Sequence, residues 1–254
     1  MSEPGTGPAT PPQESPVDEP TGAAPVDQLV DWNLAVRTAG AVAGKGPTVP
    51  LAAAAQAVAD LRDAAARAGA HVTRVTGLSA PTTSGVLVVD RAGWARANAD
   101  VFRTLLEPVV AESFSRRPGG QPQPAAVVAV GSRVAGAEVG ALLGFLASRV
   151  LGQYDPFAEP GRLLLVAPNV VTAETELDVP PADFRLWVCL HEETHRVQFD
   201  ANPWLAPHLL GRIRSLSGGM LGVGTEASFR HLRVWEALPN AAWEKNKAKL
   251  SPGR

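Results

Sequence analysis

DFRLWVCLHEETHRVQF, residues 183–199, carries apolar and imidazole side chains at intervals of three and four. Phe184, Trp187, Val188, His191 and His195 therefore share one face of a predicted helix, entered through Pro180-Pro181, with Asp183 placed to cap or charge its first turn. Two imidazoles one turn apart on the same side can reach a single divalent ion, each at about 2.0–2.1 Å for zinc. Glu192 falls one residue further round, beside such an ion, where a carboxylate can accept a proton from water. His191-Glu192-x-x-His195 is thus a candidate zinc site, with the histidines as ligands and Glu192 as catalytic base. The bland alternative makes the histidines ordinary polar residues on a half-exposed helix, with Glu192 and Glu193 in a solvated stripe that includes Arg196. Against it, Leu186, Val188, Cys189, Leu190, Val197 and Phe199 make this an apolar helix, in which buried polar groups are costly without partners.

A catalytic zinc takes three protein ligands. The metzincin pattern would put Gly at 198 and His at 201, where this chain has Gln198 and Ala201, so that class is excluded. His208 follows in NPWLAPH and is the candidate third ligand if Pro203 ends the helix and lets the chain fold back; otherwise it is a polar residue on the next helix. Glu226, Glu236 and Glu244 are the later carboxylates, and Gly224-Thr225-Glu226 only partly matches a Gly-Thr-x-x-Asp ligand segment because Ser228 stands where Asp would be. His231, between Arg230 and Arg233, reads as part of a solvated face.

Outward from this segment, the 254-residue chain is 45% hydrophobic, enough for a sizeable core. With 23 basic and 25 acidic residues and a net charge of −2, it carries no electrostatic footprint for nucleic acid or an anionic membrane. Its one cysteine, Cys189, excludes an internal disulfide and reads as a small buried hydrophobe; with no secretory pattern at the N-terminus, a cytoplasmic location is expected. Residues 1–26, rich in Pro, Gly, Ser, Thr and Glu, are expected to be a disordered tail, and residues 27–254 a single domain.

Along that domain, a helix-loop-helix entry is expected from Asp31 through the breaker at 45–50. Residues 51–68 read as a helix stopped by Gly69, and 86–89 as a short strand. Residues 94–114 return to helical spacing, kinked or ended at Pro108. Residues 125–151 are apolar and rich in small side chains, with Gly136, Gly140 and Gly144 recurring every fourth residue so that a neighbouring helix can approach closely. Arg133, Glu138 and Arg149 leave no uncharged run near the roughly 20 residues of a membrane span, so a buried core helix is expected there. Residues 162–167 read as a strand ending in a Pro168-Asn169 turn, able to lie antiparallel to an extended peptide.

VDWNLAVRTAG (30–40), VVDRAGWARANADVF (88–102), GALLGFLASRVLGQYDPF (140–157), LLLVAPNVV (163–171) and WVCLHEETHRVQFDANPWLAPHL (187–209) together resemble a bacterial zincin-like family of zinc-dependent metalloproteases or hydrolases, sometimes associated with deazaflavin-coenzyme biosynthesis. The resemblance covers roughly residues 26–215 and matches the family's ligands and base at His191, His195 and Glu192. It implies a mostly α fold with a small β component, a zincin-like metalloprotease architecture with the His-Glu-x-x-His site on a central helix. It further implies zinc as cofactor, hydrolysis through a zinc-bound water, and a peptide or protein substrate. Family members continue past this length with a Glu-Gly-His segment on a later helix; none occurs here, so the domain is expected to lack its C-terminal part. The alternative that follows is a catalytically inactive scaffold, zinc-binding or metal-free.

Overall fold

The structure, a computed structural model, describes residues 25–78, 85–115 and 124–222. Most of the expected tail at 1–26, residues 116–123, Glu226, His231, Glu236 and Glu244 lie outside the described residues. What is described is mostly helical, with one small sheet: α1 (Pro25–Leu29), α2 (Trp32–Ala43), α3 (Leu51–Thr76), β1 (Gly85–Val89), α4 (Arg91–Ser115), α5 (Ala125–Ala147), β2 (Gly152–Asp155), β3 (Arg162–Val166), α6 (Ala167–Glu176), α7 (Pro181–Asp200) and α8 (Leu205–Gly222).

The sheet is ordered β1-β3-β2, with β1 parallel and β2 antiparallel to β3. Alternation along β3 divides the core in two. Leu164 and Val166 face Ala39 and Ala43 of α2, Trp94, Ala95 and Ala99 of α4, and Leu143 and Ala147 of α5. Leu163 and Leu165 face the other way, into Leu61, Ala64 and Ala68 of α3, Val170 of α6, and Val188 and Cys189 of α7. A strand buried on both faces reads as an unbroken apolar run, and RLLLV does. Burying four such aliphatic side chains stabilises the fold by roughly 1.5–3 kcal/mol each, which explains why a strand this short is central. As a central strand β3 has both edges paired, so the expectation that it receives an extended peptide is overturned.

Helix α2 begins where Asp31 accepts a hydrogen bond from Leu34 N–H at 2.8 Å, an N-cap of the ordinary kind. It lies against α5 at the glycine positions: a Cβ at Gly136 or Gly144 would strike the carbonyl oxygen of Asp31 or Ala39, and one at Gly140 that of Ala35. The expected close approach is therefore real, yet only this face of α5 is buried. Val127, Val130, Val134, Leu142 and Phe145 are exposed, which corrects the expectation of a buried core helix; by length and composition α5 could cross a membrane.

Three further boundaries differ from expectation. Helix α3 runs on through Gly69 because that glycine lets α7 come near, a Cβ there lying 3.1 Å from Glu193 Oε1; it ends instead at Gly77, left-handed at φ 72°. Pro108 sits inside α4 without ending it. Pro168 and Asn169 open α6 rather than forming a turn, since proline suits a helix's first residues. Asn169 also ties the layers together. Its amide donates to the carbonyls of Ala147 (2.8 Å) and Val150 (2.7 Å), its oxygen accepts from Arg91, and Arg91 donates to Ala43 O.

Candidate active site on helix α7

Helix α7 starts behind Pro180 with no side-chain cap; of its two expected roles Asp183 takes the second, first-turn negative charge. Its buried face carries Arg185, Val188, Cys189, Glu192, Glu193 and Val197. Arg185 anchors it by a fork onto Glu174 of α6 (3.0 and 2.5 Å) and a bond to Asp60 of α3 (2.6 Å). Burial alone favours a neutral guanidinium, but the hydrogen bonds and charge of Glu174, then Asp60, outweigh it and hold Arg185 more firmly cationic than usual. Glu193 pairs with Arg196 one turn on, against Gly69 of α3.

The other face presents a ladder of rings. Phe184 and Trp187 stack with centroids 5.8 Å apart, Trp187 meets His191 at 6.0 Å, and His191 meets His195 edge-on at 4.9 Å. Trp187 is 57% exposed, so it flanks His191 along the face instead of packing behind it. The two imidazoles share one accessible side of α7, His191 exposed and His195 half-buried. His195 Nδ1 lies 3.4 Å from Gln198 Oε1.

Glu192, next to His191 on the helix, packs against β2. It is 6% exposed, the backbone amide of Tyr154 bears on its carboxylate, and a Cβ on Gly152 would overlap it. Burial pushes its carboxyl above the usual range, and the adjacent His191 and His195 and the Tyr154 amide oppose that rise. Glu192 and Glu193 are thus buried and partnered, which overturns the reading of a solvated stripe. Strand β2 was invisible in the sequence, because Gly-Gln-Tyr-Asp has no β-branched residue and forms by pairing with β3. Nothing in its composition flags Tyr154 or Gly152 as neighbours of the site.

Cys189, fully buried beneath this face, has its thiol pushed up to about 12, by burial first and then by Glu192. It is a packing residue, as expected. Asp155, also buried, is structural: it accepts from Phe157 N–H and pairs with Arg162 at 3.1 Å.

The donor set suits zinc as far as it goes. Neutral imidazoles one helical turn apart are good zinc ligands, and these two have rings close together on an open face. A third ligand is not among the described residues: no three His, Cys, Asp or Glu side chains there gather into a set that could hold a metal ion. His208 is on α8, exposed, with its ring 5.9 Å from that of Trp204. It does not complete the pair here, because the turn at Asn202-Pro203 starts a new helix rather than returning the chain to α7.

With this geometry in hand, three comparisons bear on the chain. A family model described as zincin-like metallopeptidase matches residues 30–242. A crystal structure from Chloroflexus aurantiacus, described as "a putative hydrolase with a novel fold", is similar with a TM-score of 0.54 at 29% identity, over 76% of this chain and 58% of that one. The chain therefore spans little more than half the length of that relative. No curated protein matches.

Proposed function

Since the chain belongs to the zincin-like metallopeptidase family, we propose that it is a zinc-dependent hydrolase of peptide bonds in which His191 and His195 hold the metal and Glu192 is the general base. The observation that carries this reading is the division of labour around one turn of α7: two accessible imidazoles on one side, and beside them a buried carboxylate packed against Gly152 of β2.

Zinc, when bound, supplies a Lewis acid that polarises the scissile carbonyl and makes water easier to deprotonate. Glu192 takes the proton of the attacking water on its carboxylate and delivers it to the leaving amine, so it ends the cycle ionised as it began. Burial raises the carboxylate's affinity for protons, which favours taking one from water. Close packing against Gly152 holds the carboxylate in position and limits the loss of orientation between turnovers.

The test is a peptide library incubated with the zinc-supplemented protein, with and without chelator. Chelator-sensitive cleavage is expected, lost in Glu192→Gln with zinc still bound, while His191→Ala and His195→Ala lose zinc. Cleavage retained by Glu192→Gln would refute its role.

A second reading, a zinc-binding or metal-free scaffold that catalyses nothing, is favoured by one observation: the described residues offer two ligands where a catalytic zinc takes three. Zinc retention without cleavage of any library member would select it.

A further inference from the structure

Beyond His195 the same helix carries one more ring. Phe199 is four residues further on, one turn or about 6 Å along the axis, and its ring lies 5.7 Å from that of Tyr154 on β2. With Phe157 and Pro203 these two rings line an open cleft of about 530 Å3 that also takes in Asp200 and Glu159. Among the described residues lining it there is no Lys, Arg or His. Its Phe199 wall stands one turn beyond His195, so the cleft lies at the C-terminal end of the helix that bears the two histidines.

Its chemistry is selective. Asp200 accepts one side-chain hydrogen bond, from the Tyr154 hydroxyl at 3.2 Å; a carboxylate has about four acceptor positions, so it retains capacity for a donor from outside. Glu159 is exposed at the rim. Of the neighbouring arginines, Arg162 pairs with Asp155 and Arg196 with Glu193, and the charge of Arg196 also reaches the Tyr154 hydroxyl. A long-stemmed cation satisfies all of this at once: its methylenes lie along Phe157 and Pro203, its head sits on aromatic faces and reaches the carboxylates. An apolar side chain would strip water from Asp200 without replacing it, and an acidic one would meet two like charges.

We propose that this cleft is a specificity subsite that takes a lysine or arginine side chain of a peptide lying across the His191–His195 face. Its relation to a scissile bond rests on the hydrolase reading; its preference for a cation does not.

The test uses the full chain with zinc and a series of capped alanine pentapeptides whose central residue is Lys, Arg, norleucine or Glu, with binding measured by calorimetry. Lys and Arg peptides are expected to bind about tenfold more tightly than norleucine, which keeps lysine's four-carbon stem without its ammonium, and Glu more weakly still. Asp200→Asn should bring Lys down to the norleucine level while leaving norleucine unchanged, and Glu159→Gln, at an exposed position where folding is not at risk, should remove part of the preference. Norleucine binding as well as Lys, no heat from the Lys peptide up to about 10 mM, or a Lys preference untouched in both variants would each overturn the proposal. The same peptides followed by mass spectrometry separate the two readings. Lys-selective binding without cleavage sinks the hydrolase and leaves the subsite; cleavage indifferent to the central residue does the reverse.

Discussion

Gly152 lies flat against Glu192: a Cβ on that glycine would come within 2.6 Å of Glu192 Cγ and 2.9 Å of its Cδ and Oε1. The absent side chain lets β2 slide under α7 and bring its backbone close to the Glu192 carboxylate. Gly152→Ala must therefore displace the proposed base itself. Overpacking of this kind costs about 1–3 kcal/mol, and a misplacement of about 1 Å at a reacting group can cost about a hundredfold in rate. The expected result is a folded protein with zinc content unchanged and hydrolysis down by about that factor. Wild-type rates in Gly152→Ala would show that Glu192's position is not critical.

Tyr154 is the only tyrosine in the chain, so its ionisation can be followed directly by ultraviolet absorbance. Burial first, and then the charge and hydrogen bond of Asp200, push its hydroxyl up to about 12. Because the folded value exceeds the ordinary value of about 10, the protonated phenol stabilises the fold fully below about pH 10, and that contribution is lost as pH rises through about 12. The native protein should titrate near 12 and the urea-unfolded chain near 10. Asp200→Asn should lower the native midpoint only part of the way, since burial is the larger cause. A native midpoint at the unfolded value would place the hydroxyl in water, away from Asp200.

Both of these residues belong to a strand the sequence does not announce. The face of α7 was legible because helical spacing, imidazoles and apolar neighbours all fall within one 17-residue stretch, and spacing along a helix is a local property. The seam between α2 and α5 was legible for the same reason, its glycines recurring with the helical turn. What turned on pairing between distant segments was not legible. Strand β2 exists because β3 offers it an edge, and α3 passes Gly69 because α7 needs the space. The inward turn of Glu192 and Glu193 likewise depends on partners contributed by β2 and α3. A third zinc ligand is the same sort of feature, one that a fold supplies from far along the chain.

The glycine seam makes a prediction in which two opposing effects can be separated. Glycine to alanine inside a helix gains up to about 1 kcal/mol from propensity where nothing opposes it. Gly131, in the same helix, has nothing within 4 Å of its would-be Cβ, so Gly131→Ala should stabilise by up to that amount. At Gly140 the new Cβ would strike Ala35 O, with Thr38 Cβ at 2.7 Å and Ala35 Cα at 2.9 Å, mostly backbone that cannot swing aside. Gly140→Ala should therefore destabilise by about 1–3 kcal/mol. Urea denaturation of the pair would measure both signs; equal shifts would mean that α2 does not approach α5 as closely as the structure has it.

The placement of α7 itself depends on charge buried at its first turns. Arg185 has 11% of its side chain exposed, Glu174 6% and Asp60 38%, so Glu174 is the partner that keeps the guanidinium neutralised away from water. Removing one member of a buried pair costs about 3–5 kcal/mol, because the other charge is left without compensation. In Glu174→Ala the bond to Asp60 survives and is partly solvated, which puts the expected loss near the lower figure, about 3 kcal/mol. Adding Arg185→Met removes the stranded charge and keeps an apolar stem against the core, so the double variant should be more stable than Glu174→Ala alone. Denaturation curves for the two variants decide this. His191 follows Arg185 by less than two turns on the same helix, so a shift of α7 should also weaken zinc binding in Glu174→Ala, and the double variant should restore it. A double variant less stable than the single one would mean that Arg185 contributes through contacts other than its pair with Glu174.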